Sequence, residues 1–139
     1  MAYERPGESI GFLPADIDMS GKTNGIFNWQ FQPVWLAPGA NVQGHGNGGA
    51  VVTQMGSLTS PPLGILQNAP LAGEAANVMT TGVSKLRAYG TWAVGDPIGV
   101  NGSGQAVKAG TGVYAFATAL ESAVTGDIAT VLLRPRGVQ

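Results

Sequence analysis

The sequence predicts an all-β protein: a small β-barrel or sandwich of short antiparallel strands, with an extended N-terminal arm. Three observations lead there. Short runs of β-branched, aromatic and aliphatic residues recur at regular intervals. Gly, Pro, Asn or Asp stands in nearly every gap between them. No helix-length stretch carries an i, i+3, i+4 apolar stripe free of Gly and Pro. The 139 residues suit one domain, which buries about two-thirds of its unfolded surface.

Residues 1–25 differ from the rest. They hold Glu4, Arg5, Glu8, Asp16, Asp18 and Lys22 and show no sustained apolar period. Such a segment buries too little apolar surface to offset its ordering entropy, so it reads as an arm that orders when a partner supplies a surface. The β domain spans 26–139. In Ile26–Gln32 the large residues Phe27, Trp29 and Phe31 alternate with Asn28, Gln30 and Gln32, the pattern of a half-buried strand with Trp29 in the core. A Gly-rich loop, Pro38 to Gly49, follows. Strands are then expected at Ala50–Thr53, Leu63–Leu66, Asn77–Thr80, Val83–Tyr89, Pro97–Val100, Ala106–Lys108, Tyr114–Leu120 and Ile128–Leu133. Turns separate them at Ser60-Pro61-Pro62, Gly95-Asp96-Pro97, Asn101-Gly102 and Gly110-Thr111-Gly112.

An internal echo runs through this pattern. Gly64 to Met79 returns as Thr118 to Leu132: strand, small-residue loop, a Gly-acid turn (Gly73-Glu74, Gly126-Asp127), then strand. In each copy the Gly can supply a positive φ and the acid can accept a turn amide. Gly95-Asp96 makes a third such turn without the preceding strand pattern. Two copies of one hairpin suit a barrel with pseudo-equivalent halves.

Composition excludes several function classes. With no Cys there is no disulfide framework and no thiolate metal site. No apolar run approaches the roughly 20 residues of a spanning helix, and the first residues lack a signal peptide's basic flank and apolar core. The sequence therefore predicts a soluble, non-exported chain with no membrane partner. Seven Lys+Arg against eight Asp+Glu, without a basic cluster, argue against direct nucleic-acid contact, which draws its affinity from neutralised phosphates. A sparsely charged, near-neutral surface favours association with other proteins.

The sequence motifs carry little chemistry. Gly44-His45-Gly46-Asn47-Gly48-Gly49 satisfies G-x-G-x-x-G but precedes a strand, where the dinucleotide fingerprint needs a helix N-terminus. Gly21-Lys22-Thr23 resembles the end of a phosphate loop, yet Asp16 occupies the place of its first glycine. Asp16-Ile17-Asp18-Met19-Ser20-Gly21 matches half an EF-hand loop, with Phe27 where the bidentate Glu belongs. His45 is the only imidazole, and a two-carboxylate site, for instance from the turn acids Glu74 and Asp127, is already accounted for by the turns; no complete catalytic constellation results. Asn101-Gly102-Ser103, formally a glycosylation acceptor, reads as a hairpin turn. Neither a cofactor nor a metal is expected, nor enzymatic activity. Trp35, between Val34 and Leu36, is placed at a subunit contact, where Trp is enriched.

Several segments taken in order resemble the capsid decoration (cement) proteins of tailed bacteriophages. They are Pro62 to Pro70 with Gly73-Glu74, Gly82 to Leu86, Val94 to Pro97, and Ala119 to Ala123 with Gly126-Asp127 and Val131-Leu132-Leu133. The resemblance covers roughly residues 28 to 134. It implies a small β-barrel that binds the outer surface of an expanded icosahedral head and strengthens it, with the major capsid protein and other copies of itself, as a trimer, for partners. Candidate contact residues are Tyr3, Arg5, Phe12, Ile17, Trp35 and His45, mostly on the arm, which is suited to adding a strand to a neighbour's sheet edge. Alternatives are a minor tail or spike module, and a small carbohydrate- or ligand-binding barrel with Trp92 as an exposed platform.

Overall fold

The computed structural model describes residues 13–15, 28–38, 50–53 and 61–139. In chain order the strands are β1 Leu13–Pro14, β2 Pro33–Pro38, β3 Ala50–Thr53, β4 Gly64–Leu66, β5 Ala75–Ala76, β6 Val78–Met79, β7 Gly82–Arg87, β8 Pro97–Val100, β9 Ala106–Lys108, β10 Tyr114–Ala119 and β11 Ile128–Val138. Every pairing is antiparallel, and the described residues contain no helix. Three sheets result: β7-β11-β10-β8-β9, β3-β2-β4-β6, and the pair β1-β5. No closed barrel forms among the described residues; the sheets stack as a sandwich.

The four-stranded sheet is the middle layer, and its sequence shows why. Successive strand residues point to opposite faces. Trp35, Ile65 and Met79 face the five-stranded sheet and join Leu86, Ile98, Phe116 and Val131 in the main core. Their neighbours Val34, Leu66 and Val78 face the other way, into a second cluster with Ala15, Trp29 and Ala76. β4 is buried along its whole length for this reason, and strands covered on both faces read as continuous apolar runs.

Leu13–Ala15, assigned from sequence to an arm awaiting a partner, instead packs on the chain's own body. β1 pairs with β5 in the register Leu13↔Ala76, and Ala15 is fully buried in the second cluster.

The expected strand at Ile26–Gln32 is corrected as well. Ile26 and Phe27 lie outside the described residues, and Asn28 to Gln32 form a turn. The Asn28 side-chain oxygen accepts the Gln30 N–H at 2.9 Å, and Gln32 N–H reaches Trp29 O at 3.1 Å. Asn favours such local bonds over a ladder. Phe31 adopts a φ of 63°, held by its N–H to Leu66 O at 2.7 Å and its C=O from Arg87 N–H at 2.8 Å. The alternation fails accordingly: Gln32 is buried and Phe31 only half-buried. Trp29 is in the core as expected, its indole N–H donating to Pro33 O at 2.8 Å.

β11 runs past its expected end. Pairing with β10 passes from Ala115↔Gly137 to Ala117↔Leu133, so Arg134, Pro135 and Arg136 bulge out opposite Phe116. Pro135 sits where no ladder N–H is required.

The two halves of the echo are both hairpins: β4 with β6, and β10 with β11. Their Gly-acid turns and the third share one geometry. In Leu71–Glu74, Ala93–Asp96 and Val124–Asp127, the acid's N–H donates to the first residue's C=O at 3.0, 3.1 and 3.0 Å. The first residue's N–H returns a bond to the carboxylate at 2.7, 2.9 and 3.0 Å. Gly73, Gly95 and Gly126 have φ of 82°, 89° and 95°, as the third position of a type II turn requires. Each turn then clamps a distant, buried alanine. The Gly N–H donates to the alanine C=O, and the alanine N–H donates to the acid's C=O: Gly73-Glu74 on Ala15 (2.9 and 2.8 Å), Gly95-Asp96 on Ala119 (2.8 and 2.9 Å), Gly126-Asp127 on Ala88 (2.9 and 2.8 Å). A left-handed Gly paired in this way is a G1 bulge.

Gly126→Ala adds a Cβ into open space, so its cost is the left-handed backbone alone, about 1–2 kcal/mol, and Gly126→Asn is milder. At Gly64 a Cβ would collide with the Met79 carbonyl of β6, so Gly64→Ala separates β4 from β6 and costs more. Urea unfolding ranks the three variants, from least to most destabilised, as Gly126→Asn, Gly126→Ala and Gly64→Ala.

Candidate functional site

Tyr3, Arg5, Phe12, Ile17 and His45 lie outside the described residues, as does most of the Gly-rich loop. Trp35 is described, and its expected place at a subunit contact is corrected. It is 5% exposed and packs in the main core beside Ile65 and Met79, because β2 belongs to the middle layer. Trp92 is likewise 2% exposed, pinned by its bridge to Ala123 and by its indole N–H on Glu121 O at 3.1 Å. It offers no platform to a ligand.

The acids weighed for catalysis are turn acids. Glu74 and Asp127 each accept the amide that opens their own turn. Among the described residues no group of three His, Asp or Glu is placed to hold a metal ion. Asp96 is the most heavily engaged of the three. Its carboxylate accepts the Ala93 N–H and lies 3.4 Å from Lys108 Nζ, while Arg136 reaches the same turn through Gly95 O at 3.1 Å. The Ala93 amide first, then Lys108 and Arg136, outweigh partial burial and hold the Asp96 carboxyl below its usual value.

Among the described residues, the features suited to meeting another protein lie on the outward face of the five-stranded sheet. Registers align Val83 with Leu132, Leu132 with Thr118, and Thr118 with Pro97: one uncharged row across β7, β11, β10 and β8. The next rows pair Lys85 with Thr130 and Arg87 with Ile128. Val83 is 56% exposed and Ile128 45%, with Leu132 half-buried. The inward neighbours Ser84, Leu86, Ala129 and Val131 are buried, so this is the second face of the strands and not the core. Beyond the end of the sheet, Val94, Leu120 and Val124 are exposed on and beside the turns that clamp Ala119 and Ala88. Sequence reading missed this face. Its signal is Ile128-Ala129-Thr130-Val131-Leu132-Leu133, where both alternating sets are apolar or uncharged, as in a strand covered on both sides.

No protein-family model matches the chain, and no curated protein matches it by sequence. Among solved structures it is similar to the crystal structure of the head fiber gp8.5 N base in bacteriophage phi29. The TM-score is 0.59 at 16% sequence identity, over 79% of this chain and 87% of that one. At that identity the likeness establishes a shared all-β fold.

Because folding lowers the Asp96 pKa, its contribution is present above the unfolded value near 3.8 and is lost as pH falls through the lower folded value. The melting-temperature gap between wild type and Asp96→Asn is therefore open at pH 6 and closes as pH drops below about 3.8. A gap unchanged down to pH 2.5 contradicts this assignment.

Proposed function

We propose that this chain is a structural protein of a phage virion, seated on the outer surface of the head, where it decorates and stabilises an expanded shell. The observation that carries the reading is the fold shared with a phage head fiber base over most of both chains. The segment-by-segment resemblance to capsid decoration proteins, a separate observation from sequence, points the same way. On this reading the protein works by contact: it is not an enzyme and uses no cofactor, nucleic acid or membrane. Its partners are the major capsid protein and further copies of itself, assembled as a trimer to match a local threefold of the shell.

The physics suits such a role. The charge-poor row from Val83 to Pro97 can be covered without stripping water from many ions, and uncharged surface carries little desolvation penalty. Weak single contacts repeated over a lattice, with each trimer bridging neighbouring capsomers, give strength through avidity.

The likeness to a fiber base favours a second reading, in which the chain is the head-proximal module of a fiber. Copy number separates the two, since a decoration protein fills the many equivalent sites of a shell. The test mixes purified full-length chain with undecorated, expanded heads and follows co-sedimentation. Saturable binding at the many equivalent sites of the shell supports decoration, low occupancy supports the fiber module, and no association with heads overturns both.

Val83→Glu places a charge on the exposed row. It weakens self-association by at least about tenfold, since burying an unpaired charge costs more than about 1.4 kcal/mol. Sedimentation equilibrium reads this, while an unchanged urea midpoint shows that the exposed position leaves the fold intact. Equal association of variant and wild type removes this face as the contact.

A further inference from the structure

We infer that a cleft beside the end of β7 is a binding site for an acidic saccharide unit, a sugar ring that carries a carboxylate. The cleft encloses about 360 Å³, at the small end of ligand sites and suited to a single ring. It lies between the turn before β2, the end of β7, the loop before β9 and the turn that clamps Ala88. Asn28, Gln32, Arg87, Tyr89, Gln105 and Thr125 supply its polar and aromatic lining, and no acidic residue lines it among the described residues.

Arg87 is the reason to expect an anion. Its backbone is fixed on both sides, by Ile128 across the ladder and by its N–H on Phe31 O at 2.8 Å. Its guanidinium, however, makes no hydrogen bond or ion pair among the described residues, and Nε is buried without a partner there. A buried, charged donor left unpaired is costly, and protein structures rarely keep one. The guanidinium fork matches a carboxylate in two parallel bonds.

The neighbouring amides point to hydroxyls around that anion. Asn28 spends its side-chain oxygen on Gln30 N–H, and Gln105 spends its own on Asn101 Nδ2 at 3.2 Å. What each has left is an NH₂ group. Gln32, 95% buried, donates only a long bond of 3.5 Å to Asn28 O. With their carbonyl oxygens engaged, the NH₂ groups of Asn28 and Gln105 give the cleft donors that complement an oxygen-dense ligand. Tyr89 is 50% exposed at the rim and makes no side-chain hydrogen bond among the described residues. Its ring face and hydroxyl give the apolar body and polar tip that lie against a sugar ring. A simple oxyanion would use Arg87 alone; the ring-sized volume, amides and tyrosine argue for a saccharide. This assignment is independent of whether the chain sits on a phage head.

The test titrates the full-length chain with glucuronate, glucose and inorganic phosphate, read by calorimetry and by NMR shifts of the Asn and Gln side-chain amides. Glucuronate binds saturably and at least tenfold more tightly than glucose. Arg87→Gln and Arg87→Lys each lose at least tenfold for glucuronate, the second because it keeps the charge without the fork. Tyr89→Ala, on an exposed side chain that leaves the fold unaffected, weakens glucuronate severalfold. Equal binding of glucose and glucuronate, or no saturable glucuronate binding, overturns the proposal. So does phosphate matching glucuronate with no effect of Tyr89→Ala, which marks a simple anion site.

Discussion

The clamp between a Gly-acid turn and a buried alanine is the constraint on which the rest of the architecture depends. Among the described residues it occurs three times, on Ala15, Ala88 and Ala119. Each occurrence joins a short local turn to a segment elsewhere in the fold, so three small motifs pin β1 beside β5, β7 beside β11, and the end of β10 beside the turn before β8. The clamp on Ala88 sets the start of the β7–β11 ladder, whose register then runs from Arg87↔Ile128 to Gly82↔Leu133. The clamp on Ala119 aligns the β10 end with the turn before β8, and the clamp on Ala15 draws β1 onto β5. A one-residue slip at any of them would invert the faces of the strands it governs.

That register has a consequence for where function can lie. The middle sheet is covered on both sides, by the main core on one and by the Trp29–Val34–Leu66 cluster on the other. The described interior is spent on packing, with both Trp35 and Trp92 committed to it. Among the described residues, what is left to meet other molecules is the periphery: the outer face of the five-stranded sheet, the turn tips and the clefts at strand ends. Among the described residues the charges are sparse and several, Glu74, Asp96, Asp127, Lys108 and Arg136, are engaged at turns, which leaves these surfaces open to contact.

Much of the fold was legible in the sequence because its signals are local. β3, β8 and β9 fall where alternation and turn residues place them, and the Gly-acid turns have the φ and amide bonds their residue types predict. Failures occur where tertiary partners override local pattern. Phe27, Trp29 and Phe31 alternate as a strand would, but Asn28 closes a turn and Leu66 and Arg87 hold Phe31 in a left-handed backbone. Composition marked Leu13–Ala15 as arm because the alanine's partners, Gly73 and Glu74, are far away in sequence. For the surface, Trp35 drew attention through its residue type, whereas Val83 and Ile128 are ordinary strand residues whose exposure only the layering reveals. Arg87 gave no sequence signal, since its lack of an acidic partner among the described residues is a property of the folded chain.

On the proposed reading, the outer face of the five-stranded sheet is where the chain meets its neighbours. Because the chain has no cysteine, a single Cys introduced at Val83 or at the exposed hairpin residue Ser103 reports on one place only. Maleimide labelling of each variant, free and assembled on expanded heads, is the most direct measurement. The account predicts that Val83→Cys is labelled when free and shielded on heads, while Ser103→Cys reacts in both states. Full labelling of Val83→Cys on heads would contradict it.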